Sequence, residues 1–105
     1  MKLLRKYYVY IIANKYKNMI YIGVTNNLKR RIDEHYLGEI GGFAKKFNCK
    51  YLLYYEVYDD IIFAISREKQ IKGLRREKKD KLIASKNPEW KFLNESVIRT
   101  NEEYL

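Results

Sequence analysis

Two runs of aromatic and β-branched residues, 6–13 and 19–24, are separated by only five polar residues, Asn14-Lys15-Tyr16-Lys17-Asn18. Strand-like runs joined by so short a polar link form a β-hairpin. Thr25-Asn26-Asn27 follows, with side-chain oxygens suited to capping a helix, and 28–37 has helical spacing. Residues 38–48 contain three glycines and predict a loop with room for a helical turn, and 50–58 reads as a third strand. Asp59-Asp60 then caps a helix predicted from 61 to about 76, acidic in its first turn and basic at its far end as the helix dipole favours. A last short helix over 78–86 stops before Pro88. The order β-β-α-β-α-α predicts a small α/β (α+β) domain, one sheet of three strands with helices covering it.

A chain of 105 residues has surface enough to bury one core, not two. Composition shifts at Asn87-Pro88: residues 67–86 carry nine Lys/Arg and three acids, whereas 87–105 carry two and four. We therefore expect a basic domain over 5–86 and a C-terminal extension over 87–105. One cysteine, Cys49, excludes an internal disulfide and a thiolate cluster, and one histidine, His35, excludes a multi-histidine metal centre. No apolar run approaches the roughly 20 residues that span a bilayer. The basic N-terminus lacks the apolar stretch of a signal peptide. The cytoplasm is the expected location, and a monomer the expected state.

The net charge of +9 suits a phosphate-rich polymer. The eleven tyrosines suit base stacking or a core equally well. Lys45, Lys46, Arg67, Lys72 and Arg75 are the candidate phosphate contacts.

Polar residues on apolar faces locate candidate chemistry. On the helix 28–37, Leu28 and Ile32 define the inward stripe; Arg31 and His35 share its side, and Arg30, Asp33 and Glu34 fall opposite. An Arg beside a His suggests an anion site. A snorkelling Arg stem and a satisfied core histidine are the simpler account at this point. On the helix from 61, Ile61, Ala64 and Ile65 set the inward face, and Glu68 falls in its middle. An inward carboxylate asks for a cation or metal; an i,i+4 pair with Lys72 is the alternative. In the hairpin, a loop with an even number of residues, such as 14–17, puts Tyr10 and Tyr21 on one face. Gly23 leaves space on that face.

Together these residues resemble the GIY-YIG nucleases. Tyr8-Val9-Tyr10, a gap of ten residues and Tyr21-Ile22-Gly23 resemble the double signature. Arg31 stands where the family carries its catalytic arginine. The stretch 64–72 resembles the metal-binding helix, with Glu68 as ligand. The likeness covers roughly 5–93 and is closest to small stand-alone bacterial members, relatives of the excinuclease incision module and of phage homing endonucleases. Tyr8 replaces the name-giving Gly, Val24 replaces a lysine of excinuclease members, and His35 sits where some relatives have Tyr. Lys91 stands where larger relatives place an Asn, with Asn94 the nearest substitute.

The resemblance implies a three-stranded antiparallel sheet flanked by helices, and metal-dependent hydrolysis of DNA phosphodiesters in repair or recombination. It implies Mg²⁺ or Mn²⁺ on Glu68, with no small-molecule cofactor and no membrane. Arg31 would stabilise charge on the phosphate, Tyr21 or Tyr10 would act as base, and His35 would position a group or move a proton. The alternative is a non-catalytic nucleic-acid-binding module of the same fold.

Overall fold

The computed structural model describes residues 5–97. Three strands, β1 (Tyr7–Ala13), β2 (Ile20–Thr25) and β3 (Tyr51–Tyr58), form an antiparallel sheet in the order β2-β1-β3. The helices are α1 (Leu28–Tyr36), α2 (Phe43–Lys46), α3 (Ile61–Lys72) and α4 (Arg76–Lys86). The expected α+β class and strand count are those observed.

β1 is central and its residues 9–13 are buried, so each face of the sheet needs its own cover. On one face Val9, Ile11, Ile22, Leu53 and Tyr54 pack with Ala64 and Ile71 of α3 and Ile83 of α4. On the other, Tyr10, Ile12 and Leu52 pack with Leu28 and Ile32 of α1 and Ala44 of α2. A register shift in the β1–β3 ladder pairs Ile11 with Tyr54 but Ile12 with Leu52. Leu53 is the extra residue, which is how Leu53 and Tyr54 come to join the same core while Leu52 joins the other.

The hairpin loop is longer than 14–17: Ala13 pairs with Ile20, leaving six residues between. Asn14 organises it, its Oδ1 accepting from the backbone N–H of Asn18 and Met19 at 3.1 and 3.2 Å. The number is still even, so the expected face-sharing follows: Tyr10 pairs with Gly23 and Ile12 with Tyr21.

The helix from 61 differs from expectation in three ways. It ends at Lys72, because Gly73 forms the cap, and α4 starts afresh at Arg76. Its acidic residue is the cap itself: Asp60 Oδ1 accepts from Ile62 N at 2.7 Å, and no acid occupies the first turn. Its inward face is narrow. Ala64 and Ile71 are buried, whereas Ile61, Ile62, Phe63 and Ile65 are exposed. The small Ala64 side chain lets the helix lie close to the sheet, and that contact replaces the wider isoleucine face.

Residues 87–97 run along the outer edge of β3. The buried Asn87 donates through Nδ2 to Leu53 O and Lys91 O, both at 2.9 Å. Leu93 N donates to Leu52 O at 2.7 Å. Asn94 accepts from Leu52 N at 2.8 Å and donates to Lys50 O at 3.0 Å. Of the proposed extension, only 87–97 falls within the described residues.

Candidate active site

Local chemistry delivers α1 directly from β2. Thr25 Oγ1 accepts from Asn27 N at 3.1 Å, and Asn27 caps the helix by accepting from Arg30 N at 3.0 Å. With the first turn so fixed, His35 points at the sheet and is buried with Leu28 and Ile32.

Tyr10 and His35 meet there. The Tyr10 hydroxyl lies 2.9 Å from His35 Nε2. Burial foremost, and then the Arg31 charge, lower the His35 pKa from 6.5 to about 4. Burial foremost, then Tyr21, also pushes the Tyr10 phenol well above its usual value of 10, against an opposing pull from Arg31. With the imidazole neutral and the phenol protonated, the bond runs in the direction set by which ring nitrogen of His35 carries its proton.

Tyr21 completes the cluster, its ring centroid 5.7 Å from that of His35. It differs from Tyr10 in access. Tyr10 is 2 % exposed, whereas Tyr21 is only half-buried. Between the two phenols, Tyr21 is the one open to solvent.

Arg31 is half-buried on the same helix, with its Nε 3.3 Å from Glu34 Oε1. Both atoms are out of solvent, yet the geometry forms no hydrogen bond. Among the described residues the guanidinium makes this ion pair and no hydrogen bond. Glu34 was expected on the opposite side of α1. The i,i+3 spacing from Arg31 was the available signal for the pair.

Glu68 comes from α3, on the other face of the sheet, but its surroundings reach round the edge strand β2. Its Oε1 pairs with Lys72 Nζ at 3.2 Å, and that ammonium lies 6.0 Å from the Tyr21 ring centroid. Glu68 also bears on the charge state of Tyr10, as Arg31 does from α1. The i,i+4 pair and the inward carboxylate thus coexist, the side chain being 15 % exposed. Among the described residues no three His, Cys, Asp or Glu side chains cluster as a metal cage. The donor set is one carboxylate already balanced by a cation, which fits a hard ion that keeps most of its waters.

The candidate phosphate contacts divide. Lys45 and Lys46 are exposed on α2, beside the hollow that His35 and Lys45 line. Arg75 is exposed at the start of α4, and Lys72 is the partner of Glu68. Arg67 is committed elsewhere. Its Nε and one terminal nitrogen each donate to Glu56 on β3 at 2.9 Å, so it offers no free charge to a phosphate. Tyr54 and Tyr58 donate to the same carboxylate. Burial raises the Glu56 pKa, but these hydrogen bonds outweigh it and hold the value at about 2.

Residues 6–81 match the family described as the GIY-YIG catalytic domain. The chain belongs to this family, and so to a nuclease superfamily. Among its relatives are small proteins named UPF0213. One from Natronomonas pharaonis is 35% identical over 78 residues, covering 74% of this chain and 91% of that one. Another, from Clostridium perfringens, is 39% identical over 80 residues, covering 76% and 85%. The solution NMR structure of a UPF0213 protein from Bacillus halodurans superposes with a TM-score of 0.53 at 27% identity, covering 81% of this chain and 89% of that one. Among the described residues no helix is long and apolar enough to cross a membrane.

Proposed function

We propose that this protein is an endonuclease that hydrolyses DNA phosphodiester bonds with a divalent metal, Mg²⁺ or Mn²⁺. The observation that carries the reading is the Arg31 guanidinium, free of hydrogen bonds, beside the Tyr10–His35 pair. A permanently charged planar group held by an ion pair alone, with its hydrogen-bond donors unused, at the rim of a buried polar cluster is suited to an anion that arrives from outside.

In this reading Arg31 holds the nonbridging oxygens of the scissile phosphate, leaving Glu34 as charge builds on them. Tyr21 presents its hydroxyl to the attacking water. Tyr10 does not act as base: burial keeps its phenol protonated and away from solvent, and its bond with His35 braces the floor beneath Tyr21 and Arg31. Glu68 would hold the metal, which supplies charge neutralisation on the phosphate and the leaving oxygen when bound. Lys45 and Lys46 bind flanking phosphates.

The test is nicking of end-labelled DNA with Mg²⁺ or Mn²⁺, with and without chelator, by wild type and Arg31→Ala. Metal-dependent nicking that falls by two orders of magnitude or more in the variant is expected. DNA retention without nicking in the wild type would leave the non-catalytic binding module instead.

A further inference from the structure

Away from the candidate active site, α1, β3 and the segment after α4 enclose an aromatic cleft of about 490 Å³. Tyr51 and Phe92 stack in its wall, with centroids 4.3 Å apart and planes 16° from parallel. Tyr36 meets Tyr51 edge-on at 6.1 Å. These rings are not spent on the core: Tyr36 is 52 % and Phe92 41 % exposed. Each exposed ring carries a cation, Lys50 Nζ lying 5.5 Å from the Tyr36 centroid and Lys17 Nζ 5.1 Å from that of Phe92.

Shared lining residues link the cleft, through one intervening hollow, to the hollow beside His35. Lys50 lines the hollow beside His35 and Lys45, and also the next hollow, which reaches Tyr51. Tyr51 in turn lines the aromatic cleft. Basic groups therefore mark the whole path, while Asp33 and Glu95 stand in the cleft itself.

We propose that this cleft is a base-stacking subsite for unpaired nucleotides, with Tyr36 and Phe92 receiving bases and Lys17 and Lys50 their phosphates. Half-exposed rings covered on the outside by flexible lysine side chains, which a base can displace toward its own phosphate, are an arrangement that binds single strands. A duplex keeps its base faces hidden in the stack. The proposal rests on the reading that the chain acts on nucleic acid, and specifies the form: a substrate with a single-stranded flank.

The experiment is fluorescence anisotropy without divalent metal, using a labelled mixed-sequence oligonucleotide as single strand and as duplex. Wild type is expected to bind the single strand more tightly. Tyr36→Ala, at a half-exposed position, should weaken single-strand binding about fivefold or more and leave the duplex unaffected, whereas Tyr36→Trp restores it. The salt dependence should stay the same in Tyr36→Ala and flatten in Lys50→Ala. Melting temperatures of each variant report folding independently. Equal loss for both forms, or no loss in either Tyr36→Ala or Phe92→Ala, overturns the subsite while leaving the nuclease reading standing. Failure of wild type to bind either form overturns both.

Discussion

Gly23 lies opposite Tyr10 in the β1–β2 ladder, and the phenol ring fills the space a side chain at 23 would need. A Cβ there would sit 2.4 Å from both Cζ and the hydroxyl oxygen of Tyr10. The ring cannot yield easily, since it is buried and its hydroxyl is held by His35. Gly23→Ala should therefore cost about 1–3 kcal/mol of stability and disturb the Tyr10–His35 bond. Chemical denaturation checks the first, and the His35 ring NMR shifts check the second. An unchanged denaturation midpoint would mean that the ring moves aside freely.

Acid should destabilise the protein in two stages. The His35 pKa is lowered from 6.5 to about 4, so the unfolded chain takes up this proton first. Stability from the neutral imidazole is complete above pH 6.5 and is lost as pH falls to about 4. Glu56 is depressed from 4.5 to about 2, so its contribution is complete above 4.5 and is lost toward 2. Melting temperature against pH reads both. His35→Gln should erase the upper stage alone; a wild-type profile flat down to pH 4.5 contradicts the buried neutral imidazole.

Glu68→Gln separates metal binding from structure. Lys72 is half open to solvent although Glu68 is only 15 % exposed, so loss of this i,i+4 pair should cost only about 0.3–0.5 kcal/mol. Nicking should fall by orders of magnitude, because charge stabilisation by a metal is worth several kcal/mol and each ~1.36 kcal/mol is tenfold in rate. DNA retention should persist. Wild-type nicking rates in the variant would remove Glu68 from the proposed metal site.

Lys45→Ala with Lys46→Ala removes two exposed charges next to the hollow beside His35. Binding should weaken on every DNA sequence alike, and the slope of log affinity against log salt should flatten by about 1–2. Titrations across a salt series measure it, and an unaltered slope would place the phosphates elsewhere.

The hairpin and α1 were legible because short-range rules decide them. Strand alternation sets Tyr10 and Tyr21 on one face for any even loop, and the loop of six, held by Asn14, is even. The Asn27 cap fixes α1, and with it the inward His35. Periodicity failed on α3, where four apolar residues near its start face solvent and Ala64 and Ile71 carry the contact. Helical spacing says which residues share a face, not how close the helix stands to the sheet. The Arg67 pair is hidden from the sequence for a similar reason: its partner Glu56 is distant along the chain, on a strand whose neighbours only the fold reveals. Glu34 was misplaced by angle alone, since a long side chain can bend toward Arg31 across the helix surface.

The asparagines along β3 have a consequence for what this molecule can recognise. Asn94 mimics a strand by giving and taking one hydrogen bond with main-chain groups of residues 50 and 52, and Leu93 and Asn87 occupy the carbonyls of Leu52 and Leu53. Over residues 50–53 the edge so occupied has nothing to offer an incoming β-strand, which closes off strand addition and edge-to-edge aggregation along that half of β3. Along this border of the sheet, a partner must be addressed through rings and charges instead of through the backbone.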